Sequence, residues 1–176
     1  MKKSFFLIAL MVFCCKTSEI PKSNLSVEDK ISLTTNCPDD GTCTFEVIPN
    51  SSMKILTDDT GALYPQFYKS EAVVLKFEYK KNEQVNTADG GYSELIYLEI
   101  NEDDLELELE NSKLEQVKLL FGRLCFCRGS SGYFKITDGS LSIKKIGNDT
   151  YRIDITFTTN KVPQIINSIS ETFSLK

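Results

Sequence analysis

A chain of 176 residues suits a single domain with a proper core, and its 25 acidic against 20 basic residues argue against nucleic-acid binding, which draws on clustered Lys and Arg. It contains no histidine, which removes Ser-His-Asp and Cys-His catalysis, His-ligated zinc or iron, and the commonest general base near neutral pH. No GxSxG motif, phosphate-cradling glycine loop or dinucleotide fingerprint occurs either.

The chain opens with Met1, Lys2 and Lys3 ahead of an apolar run from Phe5 to Phe13. That is a charged segment and a hydrophobic segment of signal-peptide length, short of the roughly 18 to 20 apolar residues that span a bilayer. A cut before Cys15 leaves Cys14 as the small residue at the cleavage position, whereas a cut before Cys14 puts bulky Phe13 there. "LMVFCCKTSE" resembles the bacterial lipoprotein signal in a form seen in the Bacteroidota, with "VFC" where the usual lipobox has Ala or Ser and then Gly or Ala. The resemblance implies a signal peptide at 1–14 and a mature N-terminus at Cys15 carrying a diacylglyceryl thioether and an amide-linked acyl chain. It also implies a bilayer partner in the bacterial cell envelope, at the outer membrane, with the domain facing the periplasm or the cell surface. Each buried methylene contributes about 0.8 kcal/mol, and two chains anchor stably. The plainer reading is a secreted protein with two incidental cysteines. Loss of the leader removes Lys2 and Lys3 and leaves 18 basic against 25 acidic residues.

"KTSEIPKSNLSVEDK", from Lys16 to Lys30, has no sustained apolar period, so residues 15–30 read as a lipidated N-terminus and flexible tether, spanning roughly 20 to 23 Å as a random coil. Residues 31–176 read as one domain. In "TCTFEVI" the side chains of Cys43, Phe45 and Val47 share a face. "EAVVLKFEYK" puts Val73, Leu75, Phe77 and Tyr79 together, "ELIYLEI" is apolar on both faces as in a central strand, and "LELELE" alternates from Leu105 to Glu110. "TYRIDITFTT" groups Tyr151, Ile153, Ile155 and Phe157. Strict alternation marks half-buried strands, and turn signals divide them at "DDTG", "ADGG", "RGSSG", "TDG" and "GND". "NSKLEQVKLLFGR" admits either a short helix, with Leu114, Val117, Leu120 and Phe121 inward, or a strand from Val117 to Cys127. "VPQIINSIS" suggests a short helix or turn before a last strand, "ETFSLK". The sum predicts an all-β antiparallel sandwich, or a calycin-like barrel, of about eight to ten strands with at most one or two short helices. "SGYFKITDGSLSIKKIGNDTYRIDITF" resembles the hairpin ladder of small envelope lipoproteins with β-sandwich domains, which implies the same fold and no activity.

The four cysteines of the domain, Cys37, Cys43, Cys125 and Cys127, read as two disulfides in an exported chain. Spacings of C-x5-C and C-x-C miss the usual zinc knuckles. If Cys125 and Cys127 lie in a strand, their Cα atoms stand nearly 7 Å apart, so a mutual bond, redox or structural, needs the backbone to buckle. The favoured arrangement therefore pairs each with a partner from "CPDDGTC", since a bridge across about 90 residues contributes about 4.6 kcal/mol against about 2.4 for the seven-residue loop. Local Cys37–Cys43 and Cys125–Cys127 bonds are the second choice. Stapling is the expected role in both.

From Glu99 to Glu110 stand seven carboxylates and no basic residue. On a strand Glu106, Glu108 and Glu110 lie about 6.8 Å apart, where each neighbouring pair repels by roughly 0.6 kcal/mol in water. A solvated face tolerates that, and neither "NEDD" nor "DDTG" has the spaced ligands of a calcium loop. Tyr64, Phe67, Tyr68 and Tyr92 flank candidate loops; without tryptophan, sugar stacking falls to such residues, though core or rim packing is their ordinary use. No catalytic residue, cofactor or metal ligand is assigned. The expected function is a membrane-anchored envelope lipoprotein with a non-enzymatic binding or structural role, its partner a protein or a small apolar ligand. The alternatives are a calycin-like barrel whose pocket is lined by residues such as Val73, Leu75 and Phe77, and a small carboxylate-dependent hydrolase.

Overall fold

The computed structural model describes residues 35–82 and 90–175. Cys15, the leader at 1–14, the tether at 15–30 and part of the "ADGG" turn lie outside the described residues.

Alternation along the sequence becomes two antiparallel sheets. The described residues form eleven strands: β1 Gly41–Ile48, β2 Ser51–Thr57, β3 Leu63–Lys69, β4 Ala72–Lys81, β5 Tyr92–Asn101, β6 Leu107–Glu110, β7 Leu120–Cys125, β8 Gly132–Lys135, β9 Asp138–Lys145, β10 Thr150–Thr158 and β11 Ser168–Ser174. Seven of them form one sheet in the order β1-β4-β5-β7-β8-β3-β2, and four form the other in the order β11-β10-β9-β6. The core lies between them. Val73, Leu75, Phe77 and Tyr79 of β4 and Ile96, Leu98 and Ile100 of β5 pack toward Leu141, Ile143, Ile153, Ile155, Phe157, Ile169 and Phe173 of the smaller sheet. Ring pairs cross the interface, Phe45 with Phe173 at 6.3 Å and Phe121 with Phe157 at 5.7 Å. Each such fully buried side chain contributes about 1.5–3 kcal/mol. Val73, Leu75 and Phe77 therefore sit in a filled sandwich core rather than along an open barrel lumen.

The ambiguous segment after β6 is both of its alternatives in turn. Asn111–Val117 winds as a 3₁₀ helix that buries Leu114 and Val117, stops at left-handed Lys118, and gives way to β7 at Leu120. The segment at Pro163 is bends without a helix, and the final strand begins at Ser168 rather than Glu171. The "LELELE" alternation pairs only from Leu107 to Glu110, opposite β9.

The disulfides correct the favoured pairing. The bonds are Cys37–Cys43, with Cα atoms 5.7 Å apart, and Cys125–Cys127, at 5.1 Å. Register explains why: Cys43 lies opposite Tyr79, Tyr79 opposite Glu94, and Glu94 opposite Arg123. β1 and β7 are thus three strand spacings apart, about 14 Å, twice the reach of a disulfide. The C-x-C bond forms because β7 ends at Cys125 and the chain bends at Phe126, so the two residues do not share an extended strand. Closing three residues, it contributes only about 1.6 kcal/mol by loop entropy.

Candidate functional site

The smaller sheet covers one face of the larger. On the other face the β2–β3 hairpin folds back and roofs only part of it, through a second cluster of Met53, Val74, Leu95, Tyr97 and Leu120 joined by Ile48, Ile55 and Tyr133. β3 meets β8 at a single register pair, Leu63 with Tyr133, so the sheet stays split beyond it. Pro65 stands opposite Ile55 in β3, where the open edge makes its missing N–H harmless.

The free edge of β2 is closed by a polar cluster. Met53 N donates to Glu99 Oε2 at 2.7 Å, and Met53 O accepts from Lys118 Nζ at 2.9 Å. Lys118 Nζ also bonds both Glu99 oxygens at 2.7 Å, and the Ser52 hydroxyl donates to Glu99 Oε2 at 2.7 Å. Burial alone raises the Glu99 carboxyl, but the Lys118 ammonium, the Met53 amide and the Ser52 hydroxyl together hold it below its usual value. Glu99 therefore belongs to the roof, not to the solvated acidic strip. The rest of the strip is outside: Glu108 pairs with Lys144 at 3.0 Å, and Glu106 accepts from Lys145 N at 3.4 Å. Among the described residues no group of three or more Asp, Glu, His or Cys is placed to hold a metal ion.

Because the folded Glu99 binds its proton more weakly than the unfolded chain does, its contribution is complete above the ordinary carboxylate value and lost as pH falls through the lower folded value. Glu99→Gln should cost about 2 kcal/mol at pH 7 and flatten the fall in stability on acidification through and below the ordinary carboxylate range. Urea midpoints across that range check it; parallel wild-type and variant curves would refute the assignment.

Two rows of side chains cross the partly roofed face and run in under the edge of the roof, where Leu95 and Tyr97 are buried. Glu46, Lys76 and Tyr97 are direct cross-strand neighbours on β1, β4 and β5. In the next row Glu78 lies opposite Leu95, Leu95 opposite Gly122, and Gly122 opposite Tyr133. A side chain at position 122 would meet the Tyr133 ring at 2.6 Å, so glycine is what lets that ring lie flat across β7. Lys76 Nζ is 2.9 Å from Glu78 and 3.7 Å from Glu46. Phe67 of β3 leans over Tyr97 with ring centroids 5.3 Å apart while remaining 43% exposed. Tyr64 and Tyr68 lie exposed along the same strand, and Lys54 Nζ sits 5.0 Å above the Tyr68 ring.

The electrostatics suit hydrogen bonding more than proton transfer. Burial, then the neighbouring Tyr133, Glu78 and Glu46, pushes the Tyr97 phenol well above its usual value. Tyr133 is also raised, by burial first, with Lys76 pulling against it. Burial lowers Lys76, but Glu78 and Glu46 outweigh it and raise the ammonium above its usual value. At neutral pH the face thus offers phenol and ammonium donors, carboxylate acceptors and an aromatic wall.

Of the aromatics singled out in sequence, Phe67 leans over this face, whereas Tyr64 and Tyr68 alternate with it along β3 and stand on the other side of the hairpin. Nor does Tyr92 join it: its hydroxyl donates to Glu94 on the opposite, core-facing side at 2.5 Å. Sequence reasoning gave no role to Glu94, Lys76 or Glu78, and it counted Glu99 in the solvated acidic strip. A signal existed for Glu94 and Glu99, since two acids five residues apart at the ends of an apolar strand must face opposite sides of the sheet. A second concavity of about 370 Å³ adjoins the β3–β8 split, lined by Leu63, Tyr133, Phe134, Lys135 and Lys161 among others. Compared with protein-family models, with curated proteins and with solved structures, the chain matches none of them.

Proposed function

We propose that the chain is a non-enzymatic lipoprotein of the bacterial envelope, anchored through acylated Cys15, whose domain binds a ligand on the half-roofed face of its larger sheet. The observation that carries the binding role is the juxtaposition of the exposed Phe67 ring on Tyr97 with the Lys76–Glu78 pair, on a sheet face that the second sheet leaves uncovered. An aromatic wall beside fixed donors and acceptors suits a ligand with one apolar face and polar edges, the chemistry of a saccharide ring. The two disulfides are in keeping with an oxidising compartment. The lipid anchor rests on the N-terminal sequence.

Two measurements test this reading. Intact mass of the purified mature protein should give Cys15 as the first residue with acyl chains attached, and Cys15→Ser should move the protein to the soluble fraction. Retention of that variant in the membrane would refute the anchor. On a glycan array the protein should bind saccharides in a manner that Phe67→Ala weakens at least tenfold; binding unaffected by that change, or none at all, would refute the assigned face.

A further inference from the structure

The two disulfides differ in kind. Cys43 is 8% exposed and Cys37 packs against the core, so that bond fixes the segment entering β1. Cys125 and Cys127 are both partly exposed, two residues apart, and their bond joins no separate elements. Hydrogen bonds independent of the sulfurs already shape the loop around them. Ser130 N donates to Cys127 O at 3.0 Å, Arg123 donates to Ser130 O at 2.6 Å, and the Ser131 hydroxyl bridges Arg123 O at 3.2 Å and Cys125 N at 3.3 Å. Pairing of Cys125 with Tyr92 anchors the base. Between the sulfurs Phe126 projects 84% exposed, and Cys125, Phe126, Cys127 and Arg128 line a shallow groove of about 520 Å³.

We propose that Cys125–Cys127 is a thiol–disulfide exchange site that oxidises an exported protein dithiol. Exposed disulfides that staple little are the labile ones, and a neighbouring cation favours the thiolate form. The partner's thiolate attacks the Cys125 sulfur, the Cys125–Cys127 bond breaks as the mixed disulfide forms, and Cys127 leaves as a thiolate, with Arg128 next in sequence and lining the same groove. The partner's second thiolate then attacks its own sulfur in the mixed disulfide, expelling Cys125. Two electrons pass to the C-x-C pair, which takes up the two protons given up by the partner's thiols; one dithiol is oxidised per chain. Phe126 supplies the apolar contact for the incoming polypeptide, and the loop's hydrogen bonds keep it in place in both redox states.

The test uses the oxidised full mature protein and a synthetic peptide carrying a reduced C-x-x-C dithiol, with samples alkylated over time and mapped by peptide mass spectrometry. Cys125 and Cys127 should become alkylated at least tenfold faster than Cys37 and Cys43, and equal or slower reaction overturns the proposal. Arg128→Glu should slow the exchange threefold or more, where mere exposure predicts no change. The Cys125→Ser, Cys127→Ser double variant should melt within a few degrees of wild type; collapse of the fold would make the bond a staple and overturn the proposal as well.

Discussion

Alanine at position 139 should cost about 4 kcal/mol, the largest loss expected from any single methyl group in this domain. Gly139 lies near the start of β9 opposite Phe157, with φ of +148°, a conformation that L side chains rarely adopt. A Cβ there would come within 2.1 Å of Thr156 O and 2.8 Å of Phe157 Cα. Both obstacles are backbone of β10, an inner strand of the smaller sheet, so nothing flexible can move aside. The alternatives are to break the β9–β10 ladder or to shift β10 off the core, where Ile153, Ile155 and Phe157 are buried. For a domain of this size the loss corresponds to a melting temperature lower by roughly 8–16 °C. Gly91→Ala is the control, since no atom lies within 4 Å of its built Cβ and its φ is ordinary. Thermal melts followed by circular dichroism should separate the two variants clearly; equal melting temperatures would contradict the geometry.

Glu94→Ala should destabilise by about 3–5 kcal/mol, with Glu94→Gln losing less. Glu94 is fully buried, and each of its oxygens accepts a backbone amide from the β10–β11 connection, Ile165 N and Ile166 N, both at 2.7 Å. The Tyr92 hydroxyl donates a third bond, and Arg123 donates to that hydroxyl at 3.3 Å. Burial, then the bond to Glu94, pushes the Tyr92 phenol up to about 12, which keeps it a donor at all physiological pH. One carboxylate of the larger sheet thus holds the loop that carries the chain between two strands of the smaller one. Alanine leaves two buried amides without a partner, whereas glutamine keeps one acceptor oxygen. Amide hydrogen exchange at Ile165 and Ile166 should quicken selectively in the alanine variant, alongside a lower urea midpoint. Unchanged protection at those two amides would show that the loop is held by other contacts.

Both predictions depend on features of unequal visibility in the sequence. Alternation of apolar residues reads directly as strands because side chains in a strand point to opposite faces in turn, and β1, β4, β5 and β10 lie where "TCTFEVI", "EAVVLKFEYK", "ELIYLEI" and "TYRIDITFTT" place them. Even the doubly apolar character of β5 is informative, since its two faces pack into two separate clusters. Gly139 was legible only as part of a turn signal; that it is hemmed in by Thr156 emerges only when β9 is laid against β10. Glu94 and Glu99 stood in plain sight, but a carboxylate in a strand does not announce its partner. The amides of Ile165 and Ile166 are more than 70 residues away from Glu94, and Lys118 is 19 from Glu99.

The cysteines mark the same boundary. Their even number called for two bonds, and loop entropy favoured the long connections because entropy rewards separation. Sheet order decided otherwise: β4 and β5 insert between β1 and β7, and no entropic gain can stretch a disulfide across three strand spacings. Local chemistry, meaning periodicity, turn residues and charge balance, is written residue by residue and so determined that the domain is an antiparallel β sandwich. Which strands became neighbours, where the hairpin of Phe67 folded back, and which polar groups met beneath it depended on burying both faces of one curled sheet at once, a condition no local stretch of sequence contains.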